Sequence, residues 1–289
     1  MIAERVRAGG TLILNADDEN SLCVLEREMV KQIEKQLVYF SLEENNPRIR
    51  QHLENGGTAY AVKNEFIVEM IGEESYDVVK PQDIPVNLGG TADFQTANSM
   101  AAIAACRAFG ISREQIVSRL QTFRTDADNP GRNNLYKVDK GYALVDYGHN
   151  PDGFAAICRM VSKWKGKTVT GIINIAGDRD DRIVKDAAKV AAHCFKRLIA
   201  TEDLDRRGRE AGEIPRLLSE TVKQENPDCV CEIMPNETEA VSKAIQEIKE
   251  NEVVVIFYDH LTAVLDVLSK NGAVPISSFE ENSAAQTAI

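Results

Sequence analysis

The sequence predicts an α/β protein with two domains, of which the second is built on a mainly parallel sheet. Apolar runs and helical patterns alternate regularly through the second half of the 289-residue chain, which is typical of parallel strands joined by covering helices. The length suits two domains better than one. Four of the five strands predicted in this half end in polar residues, and α/β proteins bind ligands at the carboxyl ends of such strands.

The first half predicts a mixture of strands and helices. A buried strand, a helix, a second strand, a pair of strands and a long helix are expected in that order, at residues 11–15, 19–33, 37–40, 58–62, 65–69 and 91–109. The paired strands are predicted to form a hairpin joined by Lys63-Asn64. Gly110 ends the long helix, and Ser112 with Gln115 is expected to cap the next one.

The second half predicts five strand–helix units. The strands are expected at 142–146, 168–175, 197–201, 229–234 and 252–258, and the helices at about 152–164, 181–194, 213–225, 236–250 and 261–271. The polar stretch from Thr125 to Gly131 separates the two halves. The predicted domains are therefore residues 1–127 and 128–289.

Composition excludes several classes of protein. The net charge of -11 argues against generic nucleic-acid binding, which relies on Lys and Arg to neutralise phosphates. No apolar run approaches the length of a membrane span, and the N-terminus lacks the apolar core of a signal peptide. The six cysteines are scattered and predict reduced thiols in a cytosolic protein. We therefore expect a cytoplasmic location and no membrane contact.

Two motifs mark a candidate site at the start of the second domain. Asn129-Pro130-Gly131-Arg132 is a turn, and Asp146-Tyr147-Gly148-His149-Asn150-Pro151-Asp152 follows an apolar strand directly. Polar clusters also follow the later strands, notably at Glu202–Arg209 and at Asp259-His260. Because parallel strands end at one edge of a sheet, these clusters are predicted to form one ligand-binding rim.

These motifs resemble the Mur ligase superfamily and, within it, the Mur-like half of the cyanophycin synthetases. The turn at Asn129–Arg132 followed by the Asp146 motif is similar to the start of the C-terminal domain of those ligases. The resemblance runs from about Gly10 to Pro275. It implies that residues 1–127 are the rear part of a Mur central ATPase-domain sheet, and that residues 128–289 are the Rossmann-like C-terminal domain.

The resemblance implies that ATP and Mg²⁺ are cofactors, because Mur-type ligases convert a carboxylate into an acyl phosphate that an amine then attacks. By position, Asn98 resembles the adenine-contacting asparagine, Arg132 the phosphate-contacting arginine and Asp146 the ribose-binding carboxylate. His149 and Asn150 resemble the polar pair that faces the reacting centre and are the candidate catalytic residues. Structural roles stay open: Asn98 could satisfy a buried backbone group, Arg132 could be a solvated turn residue, and Asp146 could cap a helix.

The run Glu202–Arg209 resembles the Glu-Asp-x-Asp-x-Arg-Gly-Arg stretch of cyanophycin synthetases. The activity that this implies is the attachment of arginine to the aspartate side chains of a polymer. Glu202, Asp203 and Asp205 are predicted to bind the guanidinium of the amino-acid substrate. Arg207 and Arg209 are predicted to meet its carboxylate or that of the polymer.

The phosphate-binding loop of the family is not found in this sequence. Lys165-Gly166-Lys167-Thr168 does not qualify, because Val161 stands where Walker A requires a glycine. The family's metal-binding residues are also not identified. We therefore expect the chain to be the rear portion of a larger enzyme that needs its N-terminal part, and to be inactive alone. The sequence leaves the oligomeric state open, and a homo-oligomer is one of the open alternatives.

Two other functions stay open. Another Mur-like ligase, acting on peptidoglycan precursors or adding glutamate chains, would share the Asp146 motif but need not carry the Glu202–Arg209 run. A non-catalytic module that binds a nucleotide or substrate is the other alternative.

Overall fold

The chain forms two compact units that meet in sequence between Phe123 and Arg124. The structure is a computed structural model that describes residues 2–279. The predicted boundary, after residue 127, lies a few residues further along the chain. No helix within residues 2–279 combines the length and apolar character needed to cross a membrane.

The described part of the first unit contains one five-stranded sheet in the order β1–β2–β3–β4–β5. The strands are β1 (Gly10–Asn15), β2 (Lys35–Ser41), β3 (Thr58–Lys63), β4 (Phe66–Ile71) and β5 (Glu74–Val79). The first three strands are parallel, whereas β4 and β5 are added in antiparallel fashion. The helices are α1 (Glu19–Leu22), α2 (Glu28–Lys31), α3 (Pro47–Glu54), α4 (Asp93–Ala108) and α5 (Arg113–Gln121).

Side chains of β3 face two different cores because successive residues of a strand point to opposite sides. Tyr60 packs with Met100 and Ile103 of α4 on one side of the sheet. Ala59 and Ala61 pack with Ile49 of α3 and with β1 residues on the other side. The sheet of the first unit is therefore covered on both faces.

Two predictions for the first unit are wrong. The helix expected at 19–33 is instead two short helices separated by a 3-10 turn at Cys23–Glu26, and Arg27 is extended. The buried residues Leu22, Val24 and Val30 are spaced too irregularly for one helical face. The hairpin turns at Asn64-Glu65, where both residues have positive φ, rather than at Lys63-Asn64. The capping box of Ser112 and Gln115 is confirmed.

The described part of the second unit contains a seven-stranded sheet in the order β10–β9–β8–β11–β7–β6–β12. The strands are β6 (Asn134–Val138), β7 (Gly141–Asp146), β8 (Thr168–Ile173), β9 (Arg197–Ala200), β10 (Val230–Ile233), β11 (Glu252–Phe257) and β12 (Val274–Ile276). The helices are α6 (Thr125–Asp128), α7 (Pro151–Val161), α8 (Asp181–Cys194), α9 (Glu213–Glu225), α10 (Glu237–Gln246) and α11 (Leu261–Lys270).

Five adjacent strands of this sheet, from β10 to β7, are parallel, which confirms the predicted strand–helix alternation. Helices lie on both faces of the sheet. Val254 and Ile256 of β11 pack with α10 and α11. Phe257, the next residue, stacks on Phe154 of α7, with ring centroids 4.1 Å apart. The centre of the sheet is therefore buried on both sides, as its nearly continuous apolar strands require.

Two features of the second unit differ from expectation. The antiparallel edge strands β6 and β12 were not predicted. Cys158 of α7 and Cys194 of α8 form a disulfide, with Cα atoms 5.5 Å apart, so the prediction of reduced thiols is wrong for this pair. The neighbouring helices α7 and α8 pack together and bring the two residues into reach of each other.

Candidate functional site

The candidate site of the second unit lies at the carboxyl ends of its parallel strands. The neighbouring strands β8 and β11 lead into α8 and α11. The helix α11 packs with α10 on one face of the sheet, while α8 packs beside α7 on the other. Adjacent strands whose connections leave to opposite faces open a crevice at their ends, which is where α/β proteins bind ligands.

Asp146 is the last residue of β7 and has its carboxylate held by the backbone. Its Oδ2 accepts a hydrogen bond of 2.9 Å from the N–H of Asn133, and its carbonyl accepts one of 3.2 Å from Tyr258. Burial raises the pKa of this carboxyl, although the backbone N–H groups of Asn133 and Gly148 and the charge of Arg132 act in the opposite direction. Asp146 is thus placed at the predicted position but is already engaged on one side.

Arg132 ends a turn that Asn134 organises. The buried side chain of Asn134 donates to the carbonyls of Thr125, Asn129 and Arg132 at 2.8, 3.1 and 3.0 Å, and accepts from the N–H of Gly131 at 2.6 Å. Asn134 was not among the residues predicted for the site. An asparagine two residues after Gly-Arg was its only signal.

The Tyr147 ring links the turn to the strand ends. The exposed guanidinium of Arg132 lies over it at 4.6 Å, and the rings of His149 and Tyr258 are 4.9 and 5.4 Å away. Gly131 has φ of +77°, and a β-carbon there would collide with the Tyr258 side chain. A cation and an aromatic surface therefore stand beside Asp146.

His149 and Asn150 have distinct local roles. Nδ1 of His149 lies 3.0 Å from the carbonyl of Tyr147. Because a carbonyl can only accept, Nδ1 carries the hydrogen in this contact, and a neutral ring then keeps its lone pair on Nε2. The side-chain oxygen of Asn150 accepts from the N–H of Gly153 at 2.7 Å and caps α7. Asn150 therefore starts the helix, and its amide nitrogen is the group that can face a ligand.

A second group of polar side chains lies at the ends of β8, β9 and β11. Asn174 donates a hydrogen bond to the carboxylate of Asp203, and both residues are buried. Burial is the main cause that raises the pKa of Asp203, with the charges of Asp259 and Asp178 adding to it. Asp259 accepts from the N–H of Leu204 at 3.4 Å. Three strand ends are joined through these contacts.

Glu237 is a buried carboxylate that was not among the residues predicted for the site. Its two oxygens accept hydrogen bonds from the N–H groups of Asp259 and His260, at 2.6 and 3.1 Å. Burial raises the pKa of this carboxyl. Glu237 thus fixes the loop after β11 from the start of α10.

The basic and acidic residues after β9 differ in how many contacts they make within the protein. Arg209 donates to the carbonyls of Gly177 and Arg179 at 3.0 and 2.7 Å and contacts Asp181 and Glu213. These contacts favour a loop-supporting role for Arg209 over the substrate contact that the resemblance suggested.

The remaining residues of this run are less enclosed. Arg207 is more exposed than Arg209 and pairs with Asp178 at 3.0 Å. Glu202 accepts from the N–H of Gly212 at 2.8 Å, and the exposed Asp205 accepts from the N–H of Arg207 at 3.0 Å. Of Arg207 and Arg209, Arg207 is therefore better placed for a ligand.

Asn98 belongs to the first unit and lies exposed on α4. Its amide nitrogen donates to Oε1 of Gln95 at 3.2 Å, one helical turn earlier. The structural alternative was that Asn98 satisfies a buried backbone group. Within the described residues, its side chain instead contacts the side chain of Gln95.

The described residues fit a nucleotide better than they fit a metal ion. Arg132 offers an exposed guanidinium and Asp146 a carboxylate at the same strand end. Within residues 2–279, no three His, Cys, Asp or Glu side chains are arranged to hold a metal ion.

Comparisons with known proteins agree with this architecture. Residues 131–257 match the family model described as Mur ligase, glutamate ligase domain. A cyanophycin synthetase from Synechocystis sp. is 34% identical over 269 residues, which are 93% of this chain and 30% of that protein. One from Geminocystis herdmanii is 34% identical over 271 residues, with the same two shares.

The chain belongs to the Mur ligase superfamily. It spans about 30% of the length of the curated Mur-type relatives named above. A diaminopimelate-adding Mur ligase from Listeria monocytogenes is more distant, at 25% identity over 84% of this chain and 45% of its own length.

Solved structures share the fold of this Mur-family chain. A murein peptide ligase from Psychrobacter arcticus has a TM-score of 0.60 and 13% sequence identity. The aligned region covers 94% of this chain and 53% of the ligase chain. Folylpolyglutamate synthase from Thermotoga maritima has a TM-score of 0.56 and 17% identity, covering 91% and 61%. A folylpolyglutamate synthase from Mycobacterium tuberculosis, complexed with ADP and AMPPCP, has a TM-score of 0.52 and 16% identity, covering 82% and 56%.

Proposed function

We propose that this chain is the C-terminal portion of an ATP-dependent amide-bond ligase of the cyanophycin synthetase type. In this proposal it helps to add arginine to the aspartate side chains of a polymer through an acyl phosphate. The observation that carries the proposal is the buried carboxylate of Asp203, which stands with Asn174 and Asp259 on the rim of the second unit. Cyanophycin synthetases at 31–34% identity over most of the chain support it.

The nucleotide is proposed to bind on the Asp146 side of the rim. ATP, with Mg²⁺, supplies the phosphoryl group that activates a carboxylate. Arg132 would bind phosphate oxygens, since a guanidinium presents donors in a rigid fork, and Tyr147 would support its plane. Asp146 would accept hydrogen bonds from the ribose hydroxyls through the oxygen that Asn133 does not occupy.

The amino-acid substrate is proposed to bind on the Asp203 side of the rim. Asp203 and Asp259 supply negative charge, and Arg207 stands near them. Among the described residues, no donor reaches the buried Oδ1 of Asn174, so this oxygen can accept a hydrogen bond from a ligand. Carboxylates and an amide oxygen together suit a guanidinium, which has only donors.

His149 is proposed to take a proton from the attacking amine. Its Nδ1 is held by the carbonyl of Tyr147, which leaves Nε2 as the acceptor in the neutral ring. An amine must lose a proton to become a nucleophile and stay an amide afterwards, so a base at this position serves the reaction.

The test measures ADP release by this chain combined with the upstream portion of a cyanophycin synthetase, an aspartate polymer and arginine. We expect release to require both ATP and arginine. Asp203→Asn should raise KM for arginine about tenfold or more, because it leaves a buried cation without its counter-charge. KM for ATP should change by less than about twofold, since Arg132 and Asp146 are untouched.

Asp228→Asn is the matched control, since Asp228 is an exposed aspartate before β10. It should leave both KM values unchanged. A folded, complete assembly that releases no ADP would contradict the proposal, as would equal rises of both KM values in Asp203→Asn. Turnover with glutamate or diaminopimelate but not arginine would instead favour another Mur-like ligase.

A further inference from the structure

The disulfide of the second unit lines a cavity away from the candidate site. The cavity has a volume of about 370 Å³ and is formed by the ends of α7 and α8 and the start of β8. Cys158 and Cys194 both line it, and both are partly exposed. Because β8 enters the sheet here and ends at the rim, the cavity lies at the opposite edge of the sheet. Its size is within the range of small-molecule pockets.

The ionisable side chains that line this cavity beside the cysteines are basic. They are Lys167, Lys196 and His193, of which the histidine carries a charge only when it is protonated. Lys167 donates to Asn251 at 3.1 Å and lies over the Tyr142 ring at 4.6 Å, and His193 contacts Glu225 at 3.0 Å. No Asp or Glu is among the residues that line the described cavity. A positive cavity attracts anions, and a cationic neighbourhood favours the thiolate form of a cysteine.

We propose that Cys158 and Cys194 form a reversible thiol–disulfide site, whose reductant is a small thiol that carries a carboxylate. Two properties support reversibility. The sulfurs are reachable from a cavity, whereas disulfides that resist reduction are typically enclosed. The lining also selects for charge, since Lys196 stabilises a negatively charged thiol near the bond.

The chemistry balances with two molecules of the thiol. The thiolate of the first attacks one sulfur of the disulfide, forming a mixed disulfide and releasing the other cysteine as a thiolate, which takes up a proton. The second thiolate attacks the mixed disulfide and releases the remaining cysteine. The protein gains two electrons and two protons, and the reductant leaves as its own disulfide.

The disulfide links α7 to α8, and its two cysteines are 36 residues apart in the sequence. Both helices begin at the rim, α7 at the Asn150 cap and α8 at Asp181, which contacts Arg209. Closing a loop of this length restricts the unfolded chain and so stabilises the second unit in its oxidised form.

The first test counts thiols in the full chain after purification in air. Of the six cysteines, the four that the structure leaves unpaired should be alkylated under denaturing conditions before reduction, and all six after it. Peptide mapping should link Cys158 to Cys194. Six free thiols at the start, or a linkage to another cysteine, would overturn the proposal.

The second test compares reduction by mercaptoacetate and by cysteamine, which are of similar size and opposite charge. Each rate is divided by the rate of the same thiol with a neutral small disulfide. We expect mercaptoacetate to be favoured by about threefold or more. Lys196→Gln should at least halve this preference, while Lys270→Gln, on α11, should leave it unchanged. A ratio near one in the native chain, or a ratio that Lys196→Gln does not alter, would refute the charge selection.

Discussion

The backbone N–H of Asn133 donates a hydrogen bond of 2.9 Å to Oδ2 of Asp146, across the antiparallel pair of β6 and β7. Asn133 has φ of 55°, a left-handed conformation that asparagine tolerates better than most residues. The edge strand that follows the Arg132 turn therefore fixes the carboxylate at the end of β7. This arrangement couples the charge of Asp146 to the stability of the unit.

Asp146→Asn should become relatively more stabilising as the pH rises. Burial raises the pKa of Asp146, so the folded chain binds more protons than the unfolded chain just above the ordinary carboxyl pKa. Stability then falls as the pH rises through that window. Asparagine keeps an acceptor for Asn133 and has no charge to desolvate. Urea denaturation at about pH 4 and pH 7 should show a larger benefit of the variant at pH 7. An equal difference at both pH values would show that ionisation of Asp146 is not coupled to folding.

Gly131→Ala should destabilise the second unit by about 2 kcal/mol or more, because two effects add. Alanine is strained at φ of +77°, and its β-carbon would meet the Tyr258 side chain and lie 2.9 Å from Leu261. Gly166→Ala is the matched control. Gly166 has φ of +73° with nothing within 4 Å of a β-carbon, so only the backbone strain of about 1 kcal/mol applies. Denaturation curves that shift equally for the two variants would rule out the steric part.

The strand–helix units of the second half were predictable because their signals are local. The helices expected at 181–194 and 213–225 have those bounds, and the parallel strands lie where apolar runs indicated. The strand β6 was not predicted. Its apolar run from Leu135 to Val138 is short, although the turn at Asp139 that joins it to β7 offers a hairpin signal. Its identity depends on pairing with β7 and β12, which local patterns do not reveal.

The positions of the candidate site residues were predictable, but their contacts were not. Strand ends at one edge follow from parallel topology, so Asp146, Asp203 and Asp259 could be placed on one rim from the sequence. The supporting residues Asn134 and Glu237 satisfy backbone groups several to more than twenty residues away. Such buried polar contacts depend on tertiary packing, so no local sequence motif predicts them.

Arg209→Ala should loosen the loops after β8 and β9, whereas Arg207→Ala should not. Arg209 joins the carbonyls of Gly177 and Arg179 to Glu213, and its loss should cost about 2 kcal/mol. Arg207 makes a more exposed ion pair with Asp178, which water and salt screen, so its loss should change stability little. Hydrogen exchange should become faster at 177–181 and 206–213 in the Arg209 variant alone. Similar exchange in both variants would show that Arg209 has no special supporting role.

Glu69→Gln should destabilise the first unit by about 3 kcal/mol, because it removes the charge that balances two arginines. The side chain of Glu69 is 3% exposed. It accepts hydrogen bonds from Tyr60 at 2.7 Å, from Arg107 at 3.0 Å and from Arg113. Glu28→Gln is the control, since Glu28 is exposed beside Lys31 on α2 and should change stability by less than about 0.5 kcal/mol.

The same carboxylate should make the first unit sensitive to acid. Burial opposes ionisation of Glu69, but the donors of Tyr60, Arg107 and Arg113 outweigh it and lower the pKa. The folded chain then binds fewer protons than the unfolded chain below the ordinary carboxyl pKa of 4.5. The stabilisation is present above that value and is lost as the pH falls through the lowered pKa. Urea denaturation between about pH 3 and pH 6 should therefore show a steeper loss of stability for the native chain than for Glu69→Gln, and parallel losses would disprove the coupling.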